Sequence, residues 1–500
     1  MGFFELDPSL EAAIFDPEKV VKVRLELEDE TGAFAPVSED AILEAVFLSG
    51  FDTSGGIVSR GHVIIDVSLQ PLPPFKETEG KVKVLFTAGE TGRYLHRFTM
   101  YTSPKGFMRI TEGGLTDKVE VFLEDFPGKL KRTGGFKDWS EAEVLTDIKF
   151  ADKEDIENSL LYRIAAKGDV APDEIDSCTV LLTLPYIRLT KDPWEELCEL
   201  AKASFALLEG GTDKKIIFSA SPYLTGAAEP DEVESLDLEL FYKVEIEDAM
   251  DVFNNDVRLR WNKPERLERQ ILWRYDDPPI FYDVNLQKSY PFKLLGEKRE
   301  IEVEDMPYYA PYTAKLSDGK ELRAVFADML DTAVDVEAGM VTDTTGLSVE
   351  EYDTDSYPEK AIIKLSCSED TELYELTICG RPIVVKANYS CYRRDTESID
   401  DYGLYVLNAT GKYFSDAEIF GLPHYQEWTE RTLLIRKQRR RRIRLQSEYG
   451  LFHARVGAKT TVTGIEEVGI SCSVEHLKFT YRKHKGFTAS LRMLEEEKEN

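Results

Sequence analysis

Leu376-Thr377-Ile378-Cys379-Gly380-Arg381-Pro382-Ile383-Val384-Val385 sets a β-rich run on either side of a Gly and a Pro, which predicts two strands joined by a turn. The chain continues through Asp395-Thr396-Glu397-Ser398-Ile399-Asp400-Asp401-Tyr402-Gly403 to a segment of helical character around Glu427 to Arg436. Then comes Arg436-Lys437-Gln438-Arg439-Arg440-Arg441-Arg442-Ile443-Arg444-Leu445, a strongly basic run in a very acidic chain, and after a Gly the strand-like Thr460-Thr461-Val462-Thr463.

Upstream, strands dominate the first 135 residues. Val20 to Leu27, Lys81 to Phe86 and Lys118 to Leu123 alternate apolar and charged residues, the period of half-buried strands. Turn signals at Ser54-Gly55-Gly56 and Gly113-Gly114 separate such runs, and the spacing predicts a barrel or sandwich. Between 136 and 225 the period changes. Ile156, Leu160, Leu161 and Ile164 share a helical stripe ending near Gly168. Asp192-Pro193-Trp194-Glu195 is a helix start, with an N-cap Asp, Pro at the first helical position and Glu at the third. Trp194, Leu197, Ala201, Phe205 and Leu208 then form a buried face up to Gly210-Gly211, followed by a strand from Lys214 to Phe218. Residues 226–370 predict a β-rich domain whose Pro278-Pro279 and Pro307 to Tyr312 segments are extended connectors, and 371–500 a C-terminal β domain with one helix.

The length of 500 residues implies three or four domains at ~100–200 residues each. With 42% hydrophobic and 31% charged residues the chain is globular, and it contains no apolar run of the length that spans a bilayer. The acidic N-terminus lacks the basic start of a secretory signal. Six cysteines without a C-x-x-C pair predict reduced, mostly buried thiols, while the even count and the closeness of Cys367, Cys379 and Cys391 leave a pairing among them open. The net charge of −31 lies in the first 400 residues, since the last hundred carry 17 Lys and Arg against 13 Asp and Glu. A duplex DNA binder needs the opposite sign to neutralise phosphates.

Sequence signals for chemistry are weak. The six histidines form no H-E-x-x-H or H-x-x-x-H pair, and no G-x-S-x-G is present, so no catalytic, cofactor or metal residues are assigned. Asn408-Ala409-Thr410-Gly411-Lys412 lacks both the first Gly of a phosphate loop and a Ser or Thr after the Lys. Paired carboxylates such as Glu304-Asp305 and Glu350-Glu351 would make a glycosidase site only if buried, and in an acidic chain most such pairs are solvated surface. The arginines have two readings. They bind phosphates, or Arg436, Arg439, Arg440, Arg441, Arg442 and Arg444 pair with acids of another subunit, alternation placing Arg440 and Arg442 on one face and Arg439 and Arg441 on the other. The acidity of the molecule and the lack of interleaved aromatics favour the interface, with a purely solvated run as the remaining alternative.

The order of Gly380, Pro382, Asp395, Ser398, Ile399, Tyr402 and Gly403, followed by a polar helix and a basic strand, resembles the C-terminal half of baseplate hub proteins of tailed bacteriophages, the tail-tip or tail-associated lysin hubs. Ser159, Leu160, Ala165, Trp194, Leu197, Leu200, Ala201 and Ala203 match a second helix-helix-strand pattern of that family, and the two matches with the stretch between them cover about two thirds of the chain. The resemblance implies an α+β, strand-dominated multidomain fold, with hub-like β-barrel domains and an inserted α/β domain. It implies a homotrimer that closes the end of the tail tube in the virion of a phage or prophage, after assembly in the host cytoplasm. Its partners would be the distal tail protein, the tail tube and tip or receptor-binding proteins, and DNA would pass without specific binding. Rival expectations are a tail-associated cell-wall hydrolase, and the hub of a phage-derived injection system or gene transfer agent.

Overall fold

The structure is a computed structural model that describes residues 3–496 apart from 17, 69–70, 77–78, 113–114, 133–142, 221–233, 276–279, 284–287, 292–307, 337–347, 352–359, 367–372, 420 and 465–468. The Gly113-Gly114 and Pro278-Pro279 pairs, Glu304-Asp305 and Cys367 fall outside the described residues, as do the side chains of Glu350-Glu351. The elements used below are, in chain order, β1 (Val21–Glu28), β2 (Ile42–Phe51), β3 (Ile57–Asp66), β4 (Lys81–Ala88), β5 (Leu95–Glu112), β6 (Leu115–Glu124), α1 (Pro193–Ala203), β7 (Lys243–Asp248), β8 (Asp256–Arg266), β9 (Leu373–Arg394), α2 (Thr396–Tyr402), β10 (Val406–Gly411), α3 (His424–Arg436), β11 (Arg441–Ser447), β12 (Ile470–Arg482) and β13 (Gly486–Glu495).

The fold is strand-dominated α+β, and its largest sheet joins the two ends of the sequence. The order is β7-β11-β13-β12-β2-β3-β6-β5-β4-β1, ending on a short strand at Phe34–Pro36. This is an open path, with no barrel closing among the described residues, so the expected hub-like β-barrel domains are not closed ones. Closure fails because the end strand β7 is exposed along all six residues and has only β11 beside it.

Alternation explains the inner face. In β1, Val21, Val23, Leu25 and Leu27 are buried while the residues between them are partly exposed. They face a core in which Phe86 of β4 stacks on Phe452 at 5.3 Å and Phe479 of β12 on Phe487 of β13 at 5.8 Å, joining both ends of the chain through rings. Each such ring, fully buried, contributes about 1.5–3 kcal/mol relative to exposure.

A second core lies under α1. Asp192 accepts the Glu195 N–H at 2.9 Å, as the Asp-Pro-Trp-Glu cap predicts, and Trp194, Leu197 and Leu200 are fully buried against Leu160, Leu161 and Ile164. Two expectations shift here. The helix ends at Ala203, because Phe205 adopts a left-handed φ of 50° and Ala206–Glu209 continues as a strand. The earlier stripe begins only at Leu160, and Ile156 is exposed.

The middle of the chain builds a separate sheet around β9. Its 22 residues run unbroken through Gly380 and Pro382, where two strands joined by a turn were expected. The Gly-Arg-Pro step marks instead a change of partner, from Gln270–Tyr275 along 376–380 to β8 along 383–394. The third partner, Glu321–Val336, slips in register at Asp328/Asp331 beside Arg381 and Pro382. A proline without an N–H is tolerated at such an irregularity.

Candidate interaction surface

The arginine run begins where α3 ends. Arg436 donates from Nη1 to Asn254 Oδ1 at 3.0 Å, and its carbonyl accepts the Asn254 N–H at 2.9 Å. Burial, and then the charge of Arg440, hold the Arg436 guanidinium below its ordinary pKa. Arg439 pairs with Asp248 and lies 5.5 Å from the centre of the Tyr402 ring, while Arg440 donates to the Ile435 carbonyl.

Strand structure starts at Arg441, so the expected alternation governs only the residues from there on. Arg439 and Arg440 precede it. Ile443 and Leu445 enter the core, and Arg441 on the same side is closed off by Glu495, which accepts its Nε at 3.0 Å and its Nη2 at 2.8 Å. Arg442 is buried, with Asp251 held bidentately at 2.9 and 3.0 Å and Glu475 at 3.1 Å. The hydrogen bonds to Asp251 push the Arg442 pKa up, and the same bonds draw the Asp251 carboxyl below its usual range. Arg444, half exposed, reaches Glu247 at 2.8 Å. The acids expected from another subunit are, for Arg439, Arg441, Arg442 and Arg444, present within the same chain.

Arg442 and Arg444 point to the outer face of the sheet, and that face continues across its neighbours. The register sets Arg444 opposite Arg492, Arg492 opposite His476 and His476 opposite Gly50. One step along, Gln446, Ser490, Lys478, Leu48 and Arg60 form a second row. These rows line a groove of about 610 Å³. Gly50 is required there, since a Cβ would collide with the His476 ring. Burial, and then Arg492, keep the His476 pKa below that of a free imidazole.

Behind the basic run sits a clasp that no motif in the chain announced. Asn255, fully buried, donates to the Gly403 carbonyl at 2.7 Å and accepts the Tyr405 N–H at 2.8 Å. Its neighbour Asp256 takes Arg258 bidentately and Arg394 at 2.7 Å. Asp395 caps α2 by accepting the Ser398 N–H at 3.0 Å, which with Lys437 holds its carboxyl below the usual range, and Gly403 ends the helix at φ 83°.

The Gly411-Lys412 segment is structural. Lys412 donates to Glu196 at 2.6 Å and to the Arg188 carbonyl at 2.9 Å, and Glu196, fully buried, also accepts the Tyr413 hydroxyl and the N–H groups of Thr190 and Lys191. Cys198, Cys379, Cys391 and Cys472 are free thiols. Among the described residues no three His, Cys, Asp or Glu side chains are placed to hold a metal, and no helix is long and apolar enough to cross a membrane.

No protein-family profile and no curated protein matches the sequence. Solved structures similar to this chain include three tail proteins. The 43 kDa tail protein of prophage MuSo2 from Shewanella oneidensis is 9% identical, with 94% of this chain and 98% of that one covered and a TM-score of 0.46. The tail protein from Neisseria meningitidis MC58 is 9% identical over 96% and 97% of the two chains, with a TM-score of 0.47. The prophage tail protein gp18 from Listeria monocytogenes EGD-e is 6% identical over 94% of each, with a TM-score of 0.41.

Proposed function

We propose that the chain is a structural subunit of a phage or prophage tail, the hub that closes the tip of the tail tube as a homotrimeric ring and opens for DNA ejection. The observation that carries this reading is the construction of the segment that resembles tail hubs. Asp395, Ser398, Tyr402 and Gly403 form one capped helix, locked to the start of β8 by Asn255, so these residues serve architecture. Polar groups buried in matched pairs hold a connector in a single geometry, which is what a ring under mechanical force needs at a junction.

The charge fits the same role. Three copies of a chain with a net charge of −31 give a ring that repels duplex DNA over about one Debye length, ~8–10 Å at physiological salt. Acidic walls let DNA pass without specific binding, and the subunit or partner contact expected of the run from Arg436 to Arg444 falls in this proposal to the half-exposed Arg444, since Arg441 and Arg442 are held by acids of their own chain, with the distal tail protein and tip proteins as neighbours. Native mass of the purified protein and imaging of assembled tails test it: a trimer, or a ring at the tube end, is expected. A stable monomer with no ring in the particle overturns it, and so does hydrolysis of purified cell walls abolished by one carboxylate substitution.

A further inference from the structure

The outer face of the large sheet carries an arrangement that folding alone does not favour. Arg444 and Arg492 stand directly opposite each other on adjacent strands, and like charges so placed are destabilising. Arg444 has Glu247 at 2.8 Å and Glu245 at 4.0 Å, and Arg492 has Glu475 at 3.1 Å, which it shares with Arg442. One row away, Lys478 and Arg60 flank Leu48, 47% exposed, and neither makes an ion pair with a described residue. Lys131 and Lys243 complete the groove, each paired with an acid, Asp52 and Glu245, and these are the two acids among its described lining residues. A chain with a net charge of −31 thus gathers six Lys and Arg side chains into one concavity. The groove is bordered by β7, an edge strand with Val244 and Ile246 exposed.

The complementary surface is on the same chain. At α2, Glu397, Asp400 and Asp401 are exposed and make no ion pair with a described residue. Beside them Tyr402 is 46% and Leu404 55% exposed, so acids and apolar groups project together. Groove and projection are different surfaces of one molecule. A contact between them is therefore heterologous, and contacts of that kind repeat from copy to copy and close into a ring when the rotation permits.

We propose that the groove lined by Arg444, Arg492, Lys478 and Arg60 receives the acidic tip at α2 of a second copy of this chain. This inference rests on the ring reading above and names its contact. Opposite charges at such a contact steer encounter and fix register, and like charges facing each other suppress it.

Charge reversal tests it on the full chain. Sedimentation is measured between ~0.05 and ~0.5 M salt, the range over which screening grows. The wild type is expected to associate, less so at high salt. Arg444→Glu with Arg492→Glu, and separately Asp400→Lys with Asp401→Lys, are each expected to weaken association about tenfold or more, and the two pairs together to restore it. Because rescue requires both partners to be folded, a variant that merely misfolds cannot mimic it. An associated wild type that ignores both reversals overturns this inference alone. A wild type that stays monomeric, with no ring in the assembled particle, removes the ring reading and this contact with it. Loss of binding to a short fluorescent duplex in Arg444→Glu/Arg492→Glu, with association unchanged, reassigns the groove to nucleic-acid phosphates and overturns the proposal.

Discussion

The Asn255 amide donates to the Gly403 carbonyl at 2.7 Å while its oxygen accepts the Tyr405 N–H at 2.8 Å, so one buried side chain reinforces the backbone bond from the Asn255 N–H to the Tyr405 carbonyl at 3.0 Å between two segments 150 residues apart. Asn255→Ala takes the side-chain partner from the Gly403 carbonyl and the Tyr405 N–H, which are only part-buried, at about 1–3 kcal/mol for the two together. Urea denaturation should show a loss of a few kcal/mol, and amides between 396 and 405 should exchange faster than those of β12. Unchanged exchange there would mean that the clasp does not hold α2.

Acid sensitivity should trace in part to His424. Its ring is buried between Phe150 and Phe414 with Nε2 on the Ala203 carbonyl at 2.8 Å, and burial lowers its pKa to about 4. A depressed imidazole favours the neutral form in the folded state. Its contribution is therefore complete above the unfolded value near 6.5 and is lost as the pH falls from there toward 4, by about 3 kcal/mol. His424→Gln keeps a donor for Ala203 and does not titrate. Its stability should fall less steeply than that of the wild type between those two pH values, and parallel curves would refute the assignment.

Gly56 lets the large sheet approach α1. A Cβ at this position would collide with the Trp194 ring and come within 2.8 Å of the Cys198 sulfur. Overpacking of this kind costs about 1–3 kcal/mol. Gly56→Ala should lower the melting temperature, and Gly32→Ala, where no atom lies within 4 Å but φ is 85°, should cost less. Equal losses would mean that backbone conformation matters more than the contact with Trp194.

What was legible in the sequence was local. Alternation located β1, β4 and β6, and the Asp192 cap located α1, because each signal lies within one or two turns or pleats. The continuity of β9 through Pro382 was not legible, since it depends on which strands lie beside it. Glu196 stands next to a recognised cap, yet its partners Lys412 and Tyr413 are more than 200 residues away. The basic run could be seen, but not the groove. Arg444, Arg492, Lys478 and Arg60 come together only through the register of β11, β13, β12 and β3 about β2.

The pairing of β2 with β12 also governs how the protein is made. During translation β2 emerges hundreds of residues before the strand that covers its edge, and until then it offers unpaired N–H and C=O groups to any neighbouring chain. Nascent copies on one message are thus exposed to mispairing for most of synthesis, and maturation of the large sheet becomes a late, slow event dominated by distant contacts. Ribosome-bound chains released before Ile470 should aggregate, and a soluble fragment carrying residues 470–495, supplied in trans, should suppress that aggregation by taking the vacant edge.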